Sequence, residues 1–124
     1  MEDTMEAASN PFHESIARTP DEELATRAQS GDREALELLL TRHQLWIFNL
    51  ALRMLRLHAD AEDATQEILI RAMKALPGFR RQSKFTTWLY RIAANHLINM
   101  KKAAWKVSDA VCSFERAAEG LRQV

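Results

Sequence analysis

The chain has 124 residues, 47% of them hydrophobic, with 17 Lys or Arg balanced by 17 Asp or Glu. That length fits one domain with a modest core. The longest apolar stretch, LWIFNLALRML at 45–55, is interrupted by polar residues and is too short to span a bilayer. The acidic start, MEDTMEAASNPFHES, lacks the basic residues of a secretory signal. The single cysteine, Cys112, cannot form an intrachain disulfide, which agrees with a reducing compartment. We therefore expect a cytoplasmic protein without a membrane segment.

The zero net charge conceals a strong asymmetry along the chain. Residues 1–67 carry 14 acidic and 6 basic side chains, whereas residues 68–124 carry 3 acidic and 11 basic ones. Between residues 68 and 106 there are nine Lys or Arg and no Asp or Glu. Such a split predicts two surfaces with different partners, the basic one suited to a polyanion. The alternative is a large dipole without a function.

The apolar periodicity predicts an all-α fold, a compact bundle of about four helices between flexible N-terminal and C-terminal tails. Residues 1–18 show no periodicity and are expected to form a disordered acidic extension. The first helix is predicted to begin at a capping box with Thr19 as N-cap, Pro20 at the first helical position and Glu22 at the third. It is predicted to end before Gly31.

The second helix is predicted over 33–56 with Asp32 as its N-cap. One apolar stripe, at spacings of three and four, contains Leu36, Leu39, Leu40, Ile47, Leu50, Ala51 and Met54. A second stripe, at spacings of seven, contains Leu38, Leu45 and Leu52. A helix that is apolar on two sides packs between other helices, so we expect this one at the centre of the bundle.

The third helix is predicted to begin with Asp60 as its N-cap and to end before Pro77 and Gly78. Its expected inner face contains Ala61, Ala64, Ile68, Ala72, Ala75 and Leu76. After a loop, Ser83 is predicted to cap a fourth helix over 84–105. Its expected inner face contains Phe85, Trp88, Leu89, Ile92, His96 and Met100. The domain is thus assigned to 19–106, and 107–124 is either a linker or a fraying helix.

One exposed face of the third helix has the pattern of a protein contact. Asp63, Gln66, Glu67, Ile70 and Lys74 recur at the spacings of helical neighbours. Ile70 then lies at the apolar centre of a polar ring, as in many protein interfaces. The alternative is an ordinary solvated face with one exposed isoleucine.

A second face, on the fourth helix and the loop before it, combines cations with aromatic rings. It contains Phe79, Arg80, Arg81, Gln82, Lys84, Thr87, Tyr90, Arg91, Ala94, Asn95, Lys101 and Lys102. Cations neutralise phosphates, and exposed rings stack on unpaired bases. This face therefore predicts binding to unpaired bases, either in a single strand or extruded from a duplex. The structural alternatives are that Phe79 packs as a staple against the bundle and that Tyr90 is partly buried.

The sequence indicates neither an enzyme nor a cofactor or metal site. His58, Asp60, Glu62 and Asp63 lie close together, but helix capping and first-turn charge explain the three acids. There is no Gly-rich phosphate loop and no Ser-centred elbow. We interpret His96, on an apolar face, as a packed core histidine.

Three segments resemble, in order and spacing, region 2 of the extracytoplasmic-function sigma factors of bacterial RNA polymerase. They are TPDEELATRAQSGDREALELLL, DAEDATQEILIRAMKALPGF and SKFTTWLYRIAANHL, and the resemblance covers about residues 20–105. It implies an all-helical domain that binds the clamp helices of the polymerase β′ subunit. It also implies recognition and melting of the −10 promoter element through its non-template strand, and an anti-sigma factor as a further partner.

The resemblance also implies roles for individual residues. The polymerase-binding set is Asp63, Gln66, Glu67, Ile70 and Lys74. The DNA-binding set is Phe79, Arg80, Arg81, Ser83, Lys84, Thr87, Tyr90, Arg91 and Asn95, to which the basic pattern of the same face adds Lys101. Phe79 and the loop to Lys84 would capture a flipped base, and Asn95 would border its pocket.

The chain departs from that family at two places. Position 81 is Arg, where the family's loop often has Gly. Nothing in 107–124 resembles the second, −35-binding domain of the family, so we expect a fragment of a longer sigma factor rather than a short protein. The leading alternative function is a helical interaction module that binds a protein and no DNA. A duplex-binding repressor would need a shorter turn than LPGFRRQSK.

Overall fold

The fold is known from a computed structural model that describes residues 16–123, with the backbone alone at 107, 108, 114 and 121–123. Its elements are α1 (Asp21–Gln29), α2 (Arg33–Leu55), α3 (His58–Ala75), a 3-10 turn (Leu76–Gly78) and α4 (Phe85–Gln123). The prediction of an all-α bundle of four helices is confirmed. Over the residues described, no helix combines the length and the hydropathy needed to cross a membrane.

The central helix is α2, as its two apolar stripes predict, because it packs against α1, α3 and α4. Its buried residues follow one another about a turn apart and are Ala35, Leu39, His43, Ile47 and Ala51. In the second stripe Leu38 and Leu52 are half-buried, whereas Leu45 is 70% exposed. The second side of α2 is therefore only partly covered.

The predicted cap of α2 is confirmed. Asp32 Oδ1 accepts a hydrogen bond from the Ala35 N–H at 3.1 Å, and Arg27 lies 3.0 Å from the same carboxylate. The backbone hydrogen bond, aided by Arg27, holds the pKa of Asp32 below its usual range. The carboxylate is thus ionised at neutral pH, as a cap at the positive end of a helix requires.

The other three helix starts differ from the prediction. Helix α1 begins at Asp21 with Pro20, not Thr19, in the N-cap position. Helix α3 begins at His58 after Leu57, so Asp60 lies inside its first turn, where a carboxylate still favours the helix dipole. The start of α4 is fixed by a distant residue and is described with the site below.

The core contains the predicted inner face of α3 except Ala75, which is exposed. On α4 the buried line runs through Phe85, Leu89, Ala93 and Leu97. The predicted residues Trp88, Ile92, His96 and Met100 flank that line and are half-buried. The inner face of α4 is therefore centred on the small residue Ala93 rather than on the large side chains beside it.

Both ends of the predicted domain extend further than expected. Of the extension predicted to be disordered, 1–18, residues 1–15 lie outside the described residues. Ile16 is buried, and Arg42 donates to the carbonyls of Ala17 (2.9 Å) and Thr19 (2.7 Å), so residues 16–18 pack against the domain. At the other end, the backbone of 107–123 continues α4. The described side chains of that extension are almost all exposed.

A network of side-chain hydrogen bonds, called the polar relay below, links α1 to the centre of α2. Asp21 Oδ1 accepts a hydrogen bond from Arg42 Nη1 at 2.9 Å. The other carboxylate oxygen, Oδ2, lies 2.9 Å from His43 Nε2. The Trp46 indole N–H points at His43 Nδ1 at 2.8 Å. Because an indole N–H can only donate, Nδ1 accepts and the imidazole proton lies on Nε2, which donates to Asp21.

We expect Asp21→Ala to lower the free energy of unfolding by about 1–3 kcal/mol, because buried His43 then lacks an acceptor for its N–H. Urea unfolding followed by circular dichroism measures this loss. Asp63→Ala, which removes an exposed carboxylate from α3, is the matched control and should change stability by less than about 0.5 kcal/mol. Equal effects of the two substitutions would contradict the role of the relay.

Candidate nucleic-acid interface

The loop between the 3-10 turn and α4 is held at both ends by α1. The Gln29 side-chain amide donates to the carbonyls of Leu76 at 2.9 Å and Phe79 at 2.8 Å. The Glu22 carboxylate accepts from the N–H of Phe85, the first residue of α4, at 2.9 Å. Glu22 of α1 therefore takes the capping role that was predicted for Ser83. The Ser83 hydroxyl instead donates to the Lys84 carbonyl at 3.4 Å.

Arg81 occupies a backbone conformation that favours glycine. Its φ is +60°, in the left-handed region that costs a residue with a side chain roughly 1–2 kcal/mol. Its guanidinium donates to the Glu22 carbonyl at 3.2 Å, which offsets part of that cost. Arg81 thus adds another contact between the loop and α1.

The expectation that Phe79 presents a free ring is wrong, because the ring is only 5% exposed. It packs edge-on against Phe85, with centroids 5.6 Å apart, and at a tilt against Trp88 at 5.1 Å. A large ring buries much apolar area in such a cluster. The staple alternative for Phe79 therefore holds.

A concave site opens between this loop and α4. A cavity of about 230 Å³ is lined by Gly78, Phe79, Arg80, Gln82, Ser83, Trp88 and Arg91. Arg80 and Arg91 are exposed, whereas Ser83 and Trp88 are half-buried. The site, called the loop cavity below, combines two aromatic rings with two cations and two hydrogen-bonding side chains.

The remaining predicted DNA-binding residues are exposed but do not all lie at the loop cavity. Asn95 follows Arg91 by one turn of α4 and shares its face. Thr87 and Tyr90 lie on the neighbouring face, where the Tyr90 ring stacks on Trp46 of α2. Lys101 is about 16 Å further along the helix axis than Tyr90. The structure thus brings Arg80, Ser83 and Arg91 together with Phe79 and places Lys101 apart from them.

The predicted face of α3 is present and larger than expected. Asp63, Gln66, Ile70 and Lys74 are exposed, and Glu67 is half-buried and accepts from Arg71 at 3.2 Å. Ile70 is 40% exposed, and Met73, one turn away, is 41% exposed. The sequence analysis missed Met73, although its spacing of three from Ile70 marks it as a neighbour.

A groove between α2 and α3 adjoins that face. It has a volume of about 350 Å³ and is lined by Thr41, Gln44, Leu45, Phe48, Glu62, Thr65 and Gln66. Gln66 belongs to both the groove and the α3 face. The exposed Leu45 therefore lines a depression rather than an isolated surface position.

Two histidines differ from their predicted settings. His58 lies in the first turn of α3, and its Nδ1 is 2.7 Å from Glu62 Oε1. In the part of the chain that is described, no three His, Cys, Asp or Glu side chains converge as a metal site would need. His96 is half-buried rather than in the core. Burial lowers its pKa, Arg71 lowers it further, and Glu67 acts in the opposite direction.

We expect Gln29→Ala to loosen the loop, because the carbonyls of Leu76 and Phe79 lose a shared donor. Amide hydrogen exchange over 76–85 should become faster, and the free energy of unfolding should fall by about 1–2 kcal/mol. Gln44→Ala, at an exposed position of α2, should leave that exchange unchanged. Unaltered exchange at 76–85 in Gln29→Ala would show that α1 does not hold the loop.

Comparisons with known proteins match this part of the chain. A family model described as Sigma-70 region 2 matches residues 39–107. The RNA polymerase sigma-H factor of Pseudomonas aeruginosa is 41% identical over 80 residues, which cover 64% of this chain and 42% of that protein. The ECF RNA polymerase sigma-E factor of Escherichia coli K12 is 44% identical over 75 residues, which cover 60% of this chain and 39% of that protein.

A solved structure is similar as well. It is the NMR structure of an engineered region 2 of sigmaE in complex with GTAAAA, at 40% identity and a TM-score of 0.63, covering 69% of this chain and 90% of that one. The chain spans about two fifths of the length of the curated relatives it matches. Helix α1, which holds the loop, precedes the residues that the family model matches.

Proposed function

Because this chain belongs to the sigma-70 region 2 family, and its region 2 is of the extracytoplasmic-function type, we propose that it acts in bacterial transcription initiation. It binds core RNA polymerase and recognises and melts the −10 promoter element through bases of the non-template strand. It works by binding rather than by catalysis, in the cytoplasm where the polymerase is. The observation that carries this proposal is the loop cavity, where rings and cations meet.

The chemistry of the loop cavity suits an extruded base. Taking a base out of a duplex costs a few kcal/mol, and one stacking contact returns roughly 1–3 kcal/mol. Arg80 and Arg91 at the cavity can neutralise the adjacent phosphates. A carboxylate nearby would repel the strand. Residues 68–106 contain none, and the Glu22 carboxylate that reaches the start of α4 accepts the Phe85 N–H. The complex of the related engineered sigmaE region 2 with GTAAAA supports the same kind of ligand here.

Phe79 has a changed role in this proposal. Its ring cannot swing out freely, because it packs between Phe85 and Trp88. It forms a wall of the cavity and keeps the loop in place, so that a base enters a site that already exists. Preformed sites lose less conformational entropy on binding than flexible ones.

The α3 face is the proposed docking surface for the clamp helices of the polymerase β′ subunit. Ile70 and Met73 form its apolar centre, and the exposed Asp63, Gln66 and Lys74 form its rim. An apolar centre inside a polar rim is the usual composition of a protein interface. The DNA-binding residues lie on α4 and its preceding loop, so one molecule can engage both partners at once.

We expect Ile70→Asp to weaken binding to core polymerase by about tenfold or more, since a charge replaces the apolar centre of the face. Because Ile70 is 40% exposed, the domain should still fold. Leu57→Asp is the matched control, since Leu57 is 61% exposed but lies outside this face. A pull-down that finds unchanged affinity for Ile70→Asp, together with a normal circular dichroism spectrum, would remove the docking proposal.

We expect Asn95→Ala to reduce binding of −10 non-template strands by about 1–3 kcal/mol, because its exposed amide lies one helical turn beyond Arg91 on the same face and can hydrogen-bond a base edge. Strands of scrambled sequence should bind the variant and the parent protein equally. Titration of both oligonucleotides in the presence of core polymerase measures the difference. Asn49→Ala, at an exposed position of α2, serves as the control. Equal losses with both strands would assign Asn95 to non-specific contacts.

A further inference from the structure

The pair of rings formed by Trp46 of α2 and Tyr90 of α4 lies beside the loop cavity but is not part of it. The two rings are nearly parallel, with 26° between their planes and 6.2 Å between their centroids. Together with Thr86 and Thr87 they line a shallow cavity of about 320 Å³. Tyr90 is 51% exposed, so this aromatic shelf is open to solvent.

The Trp46 ring is fixed before any ligand arrives. Its N–H donates to His43 Nδ1 at 2.8 Å, and His43 Nε2 donates to Asp21 at 2.9 Å. The His43 ring is itself buried and lies against Phe85 at a centroid distance of 5.5 Å. A ring that is already immobilised loses little conformational entropy when another ring stacks on it.

The aromatic shelf and the loop cavity occupy neighbouring faces of the same two turns of α4. Trp88 and Arg91 line the cavity, and Thr87 and Tyr90, each one residue earlier, line the shelf. Successive residues of a helix are about 100° apart around its axis. A strand that crosses the start of α4 with one base in the cavity therefore passes over the shelf.

We propose that the aromatic shelf is a second base-binding site, which stacks another unpaired base of the same DNA strand. This proposal rests on the proposed function and adds Trp46 to the DNA-binding residues. The surroundings favour a nucleic acid, because three of the four lining residues, Thr86, Thr87 and Tyr90, lie between Lys84 and Arg91 in the segment 68–106 that has no acidic residue. The hydroxyls of Thr86 and Thr87 can donate to a phosphate or a base edge.

The shelf contributes affinity rather than sequence preference. Every base has a face that can stack on an aromatic ring, and the four residues that line the shelf include no amide or charged group that would distinguish one base edge from another. Selectivity therefore belongs to the loop cavity and Asn95. The shelf keeps the strand apart from its complement once the first base has been captured.

The test compares Trp46→Leu with Trp46→Phe. Both variants lack the indole N–H, so both disturb His43 equally, and only Phe restores a ring. Fluorescence anisotropy of the full chain with labelled single-stranded DNA of sequence GTAAAA, at low salt, reports the affinity. We expect Trp46→Leu to weaken binding by about fivefold to a hundredfold and Trp46→Phe to recover most of the loss. Trp105→Leu is the control, since it removes a 69% exposed ring that lies about 22 Å further along α4 than Tyr90. It should bind the DNA as tightly as the parent protein does.

Hexanucleotides with a single abasic position identify the stacked base. One such position should weaken binding of the parent protein yet have no further effect on Trp46→Leu, since the contact is already lost. A folded Trp46→Leu that binds GTAAAA as tightly as the parent protein would overturn the shelf. The proposal would also be overturned if Trp46→Leu lost affinity for core polymerase while its DNA affinity stayed unchanged, because the shelf would then bind a protein.

The same experiment separates this proposal from the proposed function. If Asn95→Ala loses selective binding of −10 strands while Trp46→Leu keeps the parent protein's affinity for GTAAAA, the shelf fails and the proposed function stands. If the parent protein binds no single strand even when assembled with core polymerase, both fail together.

Discussion

Phe85, the first residue of α4, connects that helix to α1, to α2 and to the preceding loop. Its N–H is accepted by Glu22 of α1 at 2.9 Å, and its ring contacts Phe79, Trp88 and His43 at centroid distances of 5.4–5.6 Å. Because only 1% of Phe85 is exposed, the start of α4 cannot shift without opening the core. The loop cavity and the aromatic shelf both lie within two turns of this anchor, so its rigidity sets their shape.

The proposed function assigns two binding tasks to different helices. Docking to a protein needs an apolar centre within polar groups, and α3 supplies it around Ile70 and Met73. Holding an extruded base needs fixed rings next to cations without carboxylates, and α4 with its loop supplies these. The proposed function thus accounts for the uneven distribution of charge along the chain by two partners of different chemistry. Glu22, whose side chain reaches the start of α4, has a carboxylate oxygen occupied by the Phe85 N–H.

The sequence predicts those features that depend on local spacing and misses those that depend on distant contacts. Periodicity is enough for the four helices, the central position of α2 and the exposure of Ile70. The cap of α4 comes from Glu22, 63 residues earlier, and the loop is held by Gln29, 50 residues before Phe79. No local pattern contains such pairs. The local pattern therefore predicts Ser83 as the cap of α4 and an exposed ring for Phe79. Trp46 was overlooked for the same reason, since its partner Tyr90 lies on another helix. The roles of all the DNA-binding and polymerase-binding residues remain predictions.

The central claim is that an unpaired strand binds at the start of α4, on a surface already formed in the free domain. Chemical-shift mapping of the ¹⁵N-labelled chain during titration with single-stranded GTAAAA tests it directly. We predict that the amides of residues 78–91 and the Trp46 indole N–H shift progressively, while those of the α3 face, residues 63–74, stay in place. Shifts along 63–74 with none at the start of α4 would contradict the account.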